Sequence, residues 1–150
     1  MQPKPDSTED KDALKVVRAA ERKTKVAPAE RSTGTVFSDN IVVGTPPSRM
    51  RASIVSFTPG ARTAWHSHPL GQTLYCISGV GRVQRKGEPV QELRPGDTVI
   101  IPPNQLHWHG AAPDRLFSHL AMSERNFGDE TDWSEHVSDE DYNKKPAPVV

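Results

Sequence analysis

From Gly34 to Met122 apolar and polar side chains alternate in short runs, each closed by a turn rich in Pro or Gly, and this pattern predicts strands. Residues 35–37 and 40–43 are brief β-type runs. Residues 50–57 alternate, with Met50, Ala52 and Ile54 on one face and Ser53, Val55 and Phe57 on the other. Strands are expected over 61–68 and 72–77 beyond the Pro59-Gly60 turn, then over 82–85 and 90–93 on either side of Gly87. Pro95-Gly96 precedes a run over 97–101, Pro102-Pro103-Asn104 precedes 106–111, and Pro113-Asp114 precedes 115–122. Short strands punctuated this evenly describe an all-β antiparallel barrel or sandwich. Such a barrel hides its edges by closure and can hold a small ligand at its mouth.

The pattern fails on both flanks. Residues 1–33 carry eight Lys/Arg against six Asp/Glu and few large apolar side chains. Asp12 can cap a short helix over 13–22 with Leu14, Val17 and Ala20 as its apolar edge. So thin a stripe buries little, and a disordered tail is the competing expectation. After Ser123, residues 124–150 hold eight acidic against three basic side chains. Residues 131–137 and 138–142 read as two helical turns, the second with a Ser138/Asp141 cap pattern. Trp133, Val137 and Tyr142 would anchor this tail, and 144–150 should fray. The expected organisation is a polar extension (1–33), one barrel (34–123) and an acidic tail (124–150).

Composition narrows the function classes. The 150 residues suffice for one domain with a real core, and 34% hydrophobic against 25% charged residues suits a water-exposed fold. Net charge is zero with histidine neutral, so no overall field draws in nucleic acid or anionic lipid. The cluster Arg82-Val-Gln-Arg-Lys86 lacks interleaved aromatics and reads as a solvated hairpin. Cys76 is the sole cysteine, which rules out an intramolecular disulfide and suggests a small buried residue. Neither a signal-peptide stretch nor a membrane span is present, so a cytoplasmic protein without membrane partners is expected. No repeat, P-loop, dinucleotide fingerprint or CxxC occurs.

Candidate chemistry concentrates in two places. His66 and His68 share one face of a strand, and Gln72 joins them by parity if the Pro69-Leu-Gly71 corner keeps register. His107 follows the Pro102 turn, where a neighbouring strand can bring it opposite. His-x-His alone is weak, but a third ligand four residues on and a fourth in a later strand point to a divalent metal with open positions for a small-molecule substrate. His109 shares parity with His107 and becomes a partner of the ligands or a pocket wall. Trp65 and Trp108 fall on the opposite parity and should pack between sheet and covering. His119 shares a face with Phe117, Ala121 and Ser123. Turned inward, it is either an unligated imidazole beside the metal or a hydrogen-bonded core histidine. His136 should lie at the surface.

Gly60-x5-His66-x-His68-x3-Gln72-x6-Gly79 resembles the first cupin motif, and Gly96-x5-Pro102-x-Asn104-x2-His107 resembles the second. The resemblance spans residues 51–122 and implies a double-stranded β-helix barrel (a jelly roll) with a metal on three His and, usually, a Glu. The chain departs from that pattern at Gln72 (for Glu), Asn104 (for Gly) and Ala111 (often Asn). Pro59 through Gln72, with His107-Trp-His-Gly-Ala-Ala-Pro113, is similar to manganese-dependent bacterial cupins with (R)-selective hydroxynitrile lyase activity. Ser118-His-Leu-Ala121 and Asp132-Trp-Ser-Glu-His-Val137 share that similarity. That group uses three His and one Gln, so the resemblance implies His66, His68, Gln72 and His107 as ligands of Mn2+, with Fe2+, Ni2+ or Zn2+ as alternatives. It further implies His119 as general base and a Thr63 hydroxyl near substrate, though Thr63 also suits a plain strand. Ser53, Val55, Phe57, Phe117, His109 and Ser123 would line the pocket, and a homo-oligomer (dimer or tetramer) is expected. The activity implied is reversible cleavage of cyanohydrins to aldehyde and cyanide, against a metal-dependent dioxygenase or a non-catalytic metabolite binder. A neutral Gln leaves a divalent site formally +2, a weaker trap for the ion but a stronger Lewis acid.

Overall fold

The computed structural model describes residues 10–126 and 131–148. Its strands are β1 (Lys25–Val26), β2 (Ser32–Thr33), β3 (Val36–Val43), β4 (Met50–Phe57), β5 (Arg62–Thr63), β6 (His66–Ser67) and β7 (Gln72–Gly79). There follow β8 (Gly81–Arg85), β9 (Gln91–Leu93), β10 (Thr98–Ile101), β11 (His107–Ala111), β12 (Phe117–Glu124) and β13 (Asp132–Trp133), then the one-turn helix α1 (Asp139–Tyr142). One sheet has the order β1-β3-β4-β12-β7-β10. The other runs β13-β6-β11-β5-β2, with β8 beside β11 and β9 beside β8. All pairs are antiparallel, as a jelly-roll barrel requires.

The two inner faces meet in an apolar plug at one end of the barrel. Phe57 and Phe117, paired across β4 and β12, are fully buried with Val36, Cys76, Val83, Leu93 and Ala111. Burying each phenylalanine contributes roughly 1.5–3 kcal/mol. Gly79 keeps a positive φ of 80° at the β7 end, where a Cβ would stand 1.7 Å from the Leu116 carbonyl oxygen, so only glycine fits. A second cluster lies outside the other sheet: Trp65, Trp108, Val90, Val137 and Tyr142 are buried together. Trp65 and Trp108 thus pack under the covering tail, as their parity requires. The Trp108 indole donates to Gln84 Oε1 at 2.8 Å. Arg62 fastens the tail by donating to the Val137 carbonyl and Asp139, each at 2.8 Å, and by stacking on Tyr142.

Four expectations need correction. Residues 13–22 form no α-helix; a 3-10 turn spans only Ala19–Glu21, and Leu14 is 98% exposed because nothing receives the thin apolar stripe. The barrel begins before Gly34: Lys25–Val26 pair with β3, and Ser32–Thr33 pair with β5. Backbone ladders need no apolar side chains, so composition could not register them. Residues 131–137 are extended instead of helical, because β6 presents a free edge to Asp132–Trp133. The 82–86 run is solvated only towards its end: Val83 and Gln84, on opposite faces of β8, are buried, and Arg85 and Lys86 are exposed. The second tail turn forms as expected, with Ser138 Oγ accepting from Asp141 N–H. Ala147 N–H donates to the Val90 carbonyl, so the end is tied there; the fraying expected at 149–150, and residues 1–9 of the extension, lie outside the described residues.

Candidate metal centre

The end of the barrel opposite the phenylalanine plug carries the histidines. Along β11, His107, His109 and Ala111 share a parity, so two imidazoles line up above the plug. β6 pairs with β11 so that His66 faces His107, and their rings stand 4.2 Å apart. His68 lies just past β6, 5.0 Å from His66 and 5.7 Å from His107. The corner that returns the chain to Gln72 depends on Gly71, whose φ is 79° and whose Cβ would meet the Ile101 carbonyl at 2.5 Å. Asn104 donates its N–H to the His68 carbonyl at 2.9 Å and has a φ of 62°. That left-handed backbone explains why cupins favour Gly there and why Asn, the side chain that best tolerates it, can substitute.

Each motif imidazole is held by its Nδ1. His66 Nδ1 lies 2.8 Å from the Ala64 carbonyl, and His107 Nδ1 lies 2.8 Å from the Gln105 carbonyl. A carbonyl only accepts, so both rings carry their proton on Nδ1 and turn a bare Nε2 inward. His68 Nδ1 is 3.2 Å from the Thr131 hydroxyl. His68 Nε2, Gln72 Oε1 and His107 Nε2 are buried without a hydrogen-bond partner. Buried polar atoms without partners are costly, and a bound metal would satisfy them. These donors suit a divalent metal: imidazoles oriented by outer-shell acceptors plus one amide oxygen. Among the described His, Cys, Asp and Glu side chains, the group with ligand atoms within 4.8 Å of one another is His66, His107 and His109, a competing set that leaves His68 out.

Burial keeps every ring neutral. It lowers His66 well below the ordinary imidazole value, with the neighbouring His107 adding to the effect. His68 is lowered to about 4, first by burial and then by His107. Burial likewise lowers His107, and it lowers His109 well below the ordinary range with help from His119. Neutral imidazoles are the form that binds metal.

His119 is fully buried and does not border the cavity; it stands behind His109, with His119 Nε2 2.9 Å from His109 Nδ1. Its ring packs against Phe57 and Phe117 at 5.4 and 5.6 Å. Burial lowers it to about 3, opposed by its own backbone. His119 Nδ1 is buried without a hydrogen-bond partner, so the contact accommodates the shared proton on either ring; with His109 Nδ1 as donor, His109 Nε2 is left bare. That atom has no partner either.

A cavity of about 590 Å³ opens over this cluster, bounded by His66, His68, Gln72, His109, Thr63 and Trp133 among others. Ser53 and Val55 border it. Phe57 and Phe117 do not; they belong to the plug beneath. Ser123 shares the inward parity of β12, yet Ala121 is the β12 residue on the cavity wall. Thr63 Oγ1 accepts the His109 N–H at 3.2 Å and lies 3.5 Å from His66 Nδ1, so it ties β5 to both histidine strands. His136 is exposed and reaches the Ala29 carbonyl. Sequence reading missed Trp133, which stacks on His66 at 4.7 Å, along with Thr131 and the wall contributed by residues 25–32. Only the unpaired edge of β6 could have signalled Trp133.

Geometry of this kind, on this barrel, defines a class, and the chain belongs to the cupin family: residues 53–118 match the cupin domain. It is 45% identical over 131 residues to an (R)-mandelonitrile lyase of Granulicella tundricola, covering 87% of this chain and all of that protein. Among solved structures, a cupin-like protein from Thermotoga maritima is 38% identical with a TM-score of 0.77, over 84% of this chain and 95% of that one. The polyketide cyclase RemF of Streptomyces resistomycificus shares the fold, with a TM-score of 0.68 at 16% identity over 87% of this chain and 91% of its own.

Proposed function

We propose that this cupin holds a divalent metal, Mn2+ by resemblance, through His66, His68, Gln72 and His107, and cleaves cyanohydrins reversibly to aldehyde and cyanide. The supporting observation is that His66, His68, Gln72 and His109 border one cavity, with His68 Nε2, Gln72 Oε1 and His109 Nε2 buried without partners and His119 paired to His109 from behind. Identity of 45% to a protein named (R)-mandelonitrile lyase, along that protein's whole length, supports the reaction type.

A divalent ion on four neutral ligands would polarise the substrate hydroxyl or nitrile. The chain supplies the proton path. The bare His109 Nε2 accepts the hydroxyl proton, while His109 Nδ1–H leans on His119. As the carbonyl forms, the carbon–carbon bond breaks and its electron pair leaves with cyanide. His109 then returns the proton, giving hydrogen cyanide and the aldehyde. Read this way, His119 acts as base through His109 and not by touching substrate. Thr63 holds the His109 backbone in place, and Trp133 shields His66 from water.

The test is release of benzaldehyde from mandelonitrile by the purified, metal-loaded protein, with oxygen consumption recorded in parallel. Aldehyde release without oxygen uptake is the expected result. Oxygen-dependent product would favour the dioxygenase reading, and tight ligand binding without turnover would favour a binder.

A further inference from the structure

The three motif histidines do not take their outer contacts from the same part of the chain. His66 and His107 lean on carbonyls two residues before them. His68 instead has its Nδ1 3.2 Å from the hydroxyl of Thr131, 63 residues later in the sequence. Thr131 opens the short tail segment that extends the sheet: Asp132 pairs with Ser67 and Trp133 with His66. Ser134 N–H then donates to the Trp65 carbonyl, and Trp65 N–H to the Glu135 carbonyl, at 2.8 and 2.9 Å. Trp133 stacks on the His66 ring at 4.7 Å, and the Arg31 guanidinium lies 5.4 Å over the indole. One tail segment thus touches two imidazoles of the centre, one by a hydrogen bond and one by a ring face.

We propose that Thr131 is a positioning residue for the metal, and that tail docking and metal binding reinforce each other through His68 and His66. This rests on His68 being a ligand. A hydroxyl accepts from Nδ1–H or donates to a bare Nδ1, and only the first arrangement leaves Nε2 free to bind an ion. A metal on Nε2 selects that arrangement and draws charge from the ring, so Nδ1–H becomes a stronger donor to Thr131. A ring that shares the ion's charge also stacks better on the Trp133 face. Coupling between two binding equilibria is reciprocal, so a tail that helps to hold the metal is itself held by the metal. The far end of the tail is fastened independently: Arg62 donates to the Val137 carbonyl and Asp139, and Ala147 N–H donates to the Val90 carbonyl. The coupling is therefore local to the segment that follows Thr131.

The test titrates the metal-free full chain with Mn2+ by calorimetry and follows amide exchange along the tail with and without the ion. Thr131→Val keeps the shape and loses the hydroxyl. It should weaken Mn2+ binding roughly tenfold or more, the usual cost of a lost outer-shell partner, and Thr131→Ser should restore most of the affinity. Trp133→Leu should weaken binding separately, which covers the case of one variant failing to fold. Mn2+ should slow exchange at residues 132–135 more than at 143–147, and Thr131→Val should narrow that difference. A role confined to packing the tail would lower the melting temperature of Thr131→Val and leave its Mn2+ affinity unchanged. His68→Ala is the control on the ligand set. Loss of Mn2+ from His68→Ala with wild-type affinity in Thr131→Val would overturn the positioning role. Full affinity in His68→Ala would remove the ligand set instead, and with it the ground for Thr131. Equal slowing along the whole tail would overturn the reciprocal coupling.

Discussion

Two groups of buried histidines share one end of this barrel and are built differently. His66 and His107 each give their Nδ1 proton to a backbone carbonyl two residues earlier in the chain, and His68 leans on the Thr131 hydroxyl. His109 and His119 have no backbone anchor of that kind and hold each other across 2.9 Å. An anchored ring is fixed in tautomer and orientation, which is what a metal needs from a ligand. A mutual pair has its proton position set by the partner ring, which suits proton transfer. Burial neutralises both groups. On the proposed reading, the difference in anchoring is what separates ligation from acid–base work.

Removing an anchored ring should have the largest effect. His66→Ala or His107→Ala should abolish metal retention, and with it turnover, as read by elemental analysis of the purified variant; full occupancy would break the assignment. His119→Ala should instead keep the metal and lose roughly 10²–10⁴-fold in turnover per metal-loaded molecule. Its melting temperature should also fall, since a void opens beside Phe57 and Phe117. Metal content, melting temperature and rate on one preparation separate that outcome from a purely structural role, in which the rate per loaded molecule would hold.

The pH response separates the same two groups by a smaller margin. His119 is lowered to about 3 and His68 to about 4, whereas unfolded histidine titrates near 6.5. Folded pKa values below the unfolded one mean that the unfolded chain binds more protons between about 3 and 6.5. Metal-free protein should therefore be fully stable above pH 6.5 and lose stability as pH falls towards 4, measured by thermal unfolding. The rate per metal-loaded molecule should show no limb near 6.5, because burial keeps both His109 and His119 neutral there; such a limb would place the proton acceptor in water. The smallest expected change is Gln72→Glu, which adds a negative charge to the ligand set. It should raise metal occupancy and lower turnover per bound metal severalfold.

Most of the barrel and the placement of the motif histidines were legible because their signals are local. Alternation in residues 50–57 set the faces of β4, and the His-x-His parity put His66 and His68 on one side. Asn104 was legible only as a departure, and its positive φ shows the position kept its backbone requirement. What escaped was pairing between distant edges. Residues 25–33 and 132–133 join the sheets through backbone hydrogen bonds, which leave no apolar signature, and they bring Arg31 and Trp133 to the cavity. That His119 turns inward was allowed for by its parity. Its depth was not, because strand parity fixes which face a side chain takes and not how far along the barrel the plug begins.

Which imidazoles hold the ion decides whether the two groups are distinct. Anomalous diffraction at the manganese edge from a metal-loaded crystal reads this directly. One peak bonded to His66, His68, Gln72 and His107, with His109 still paired to His119, is the predicted result. A peak held by His66, His107 and His109, with His68 and Gln72 turned away, would contradict the account: the supposed proton acceptor would then be a ligand.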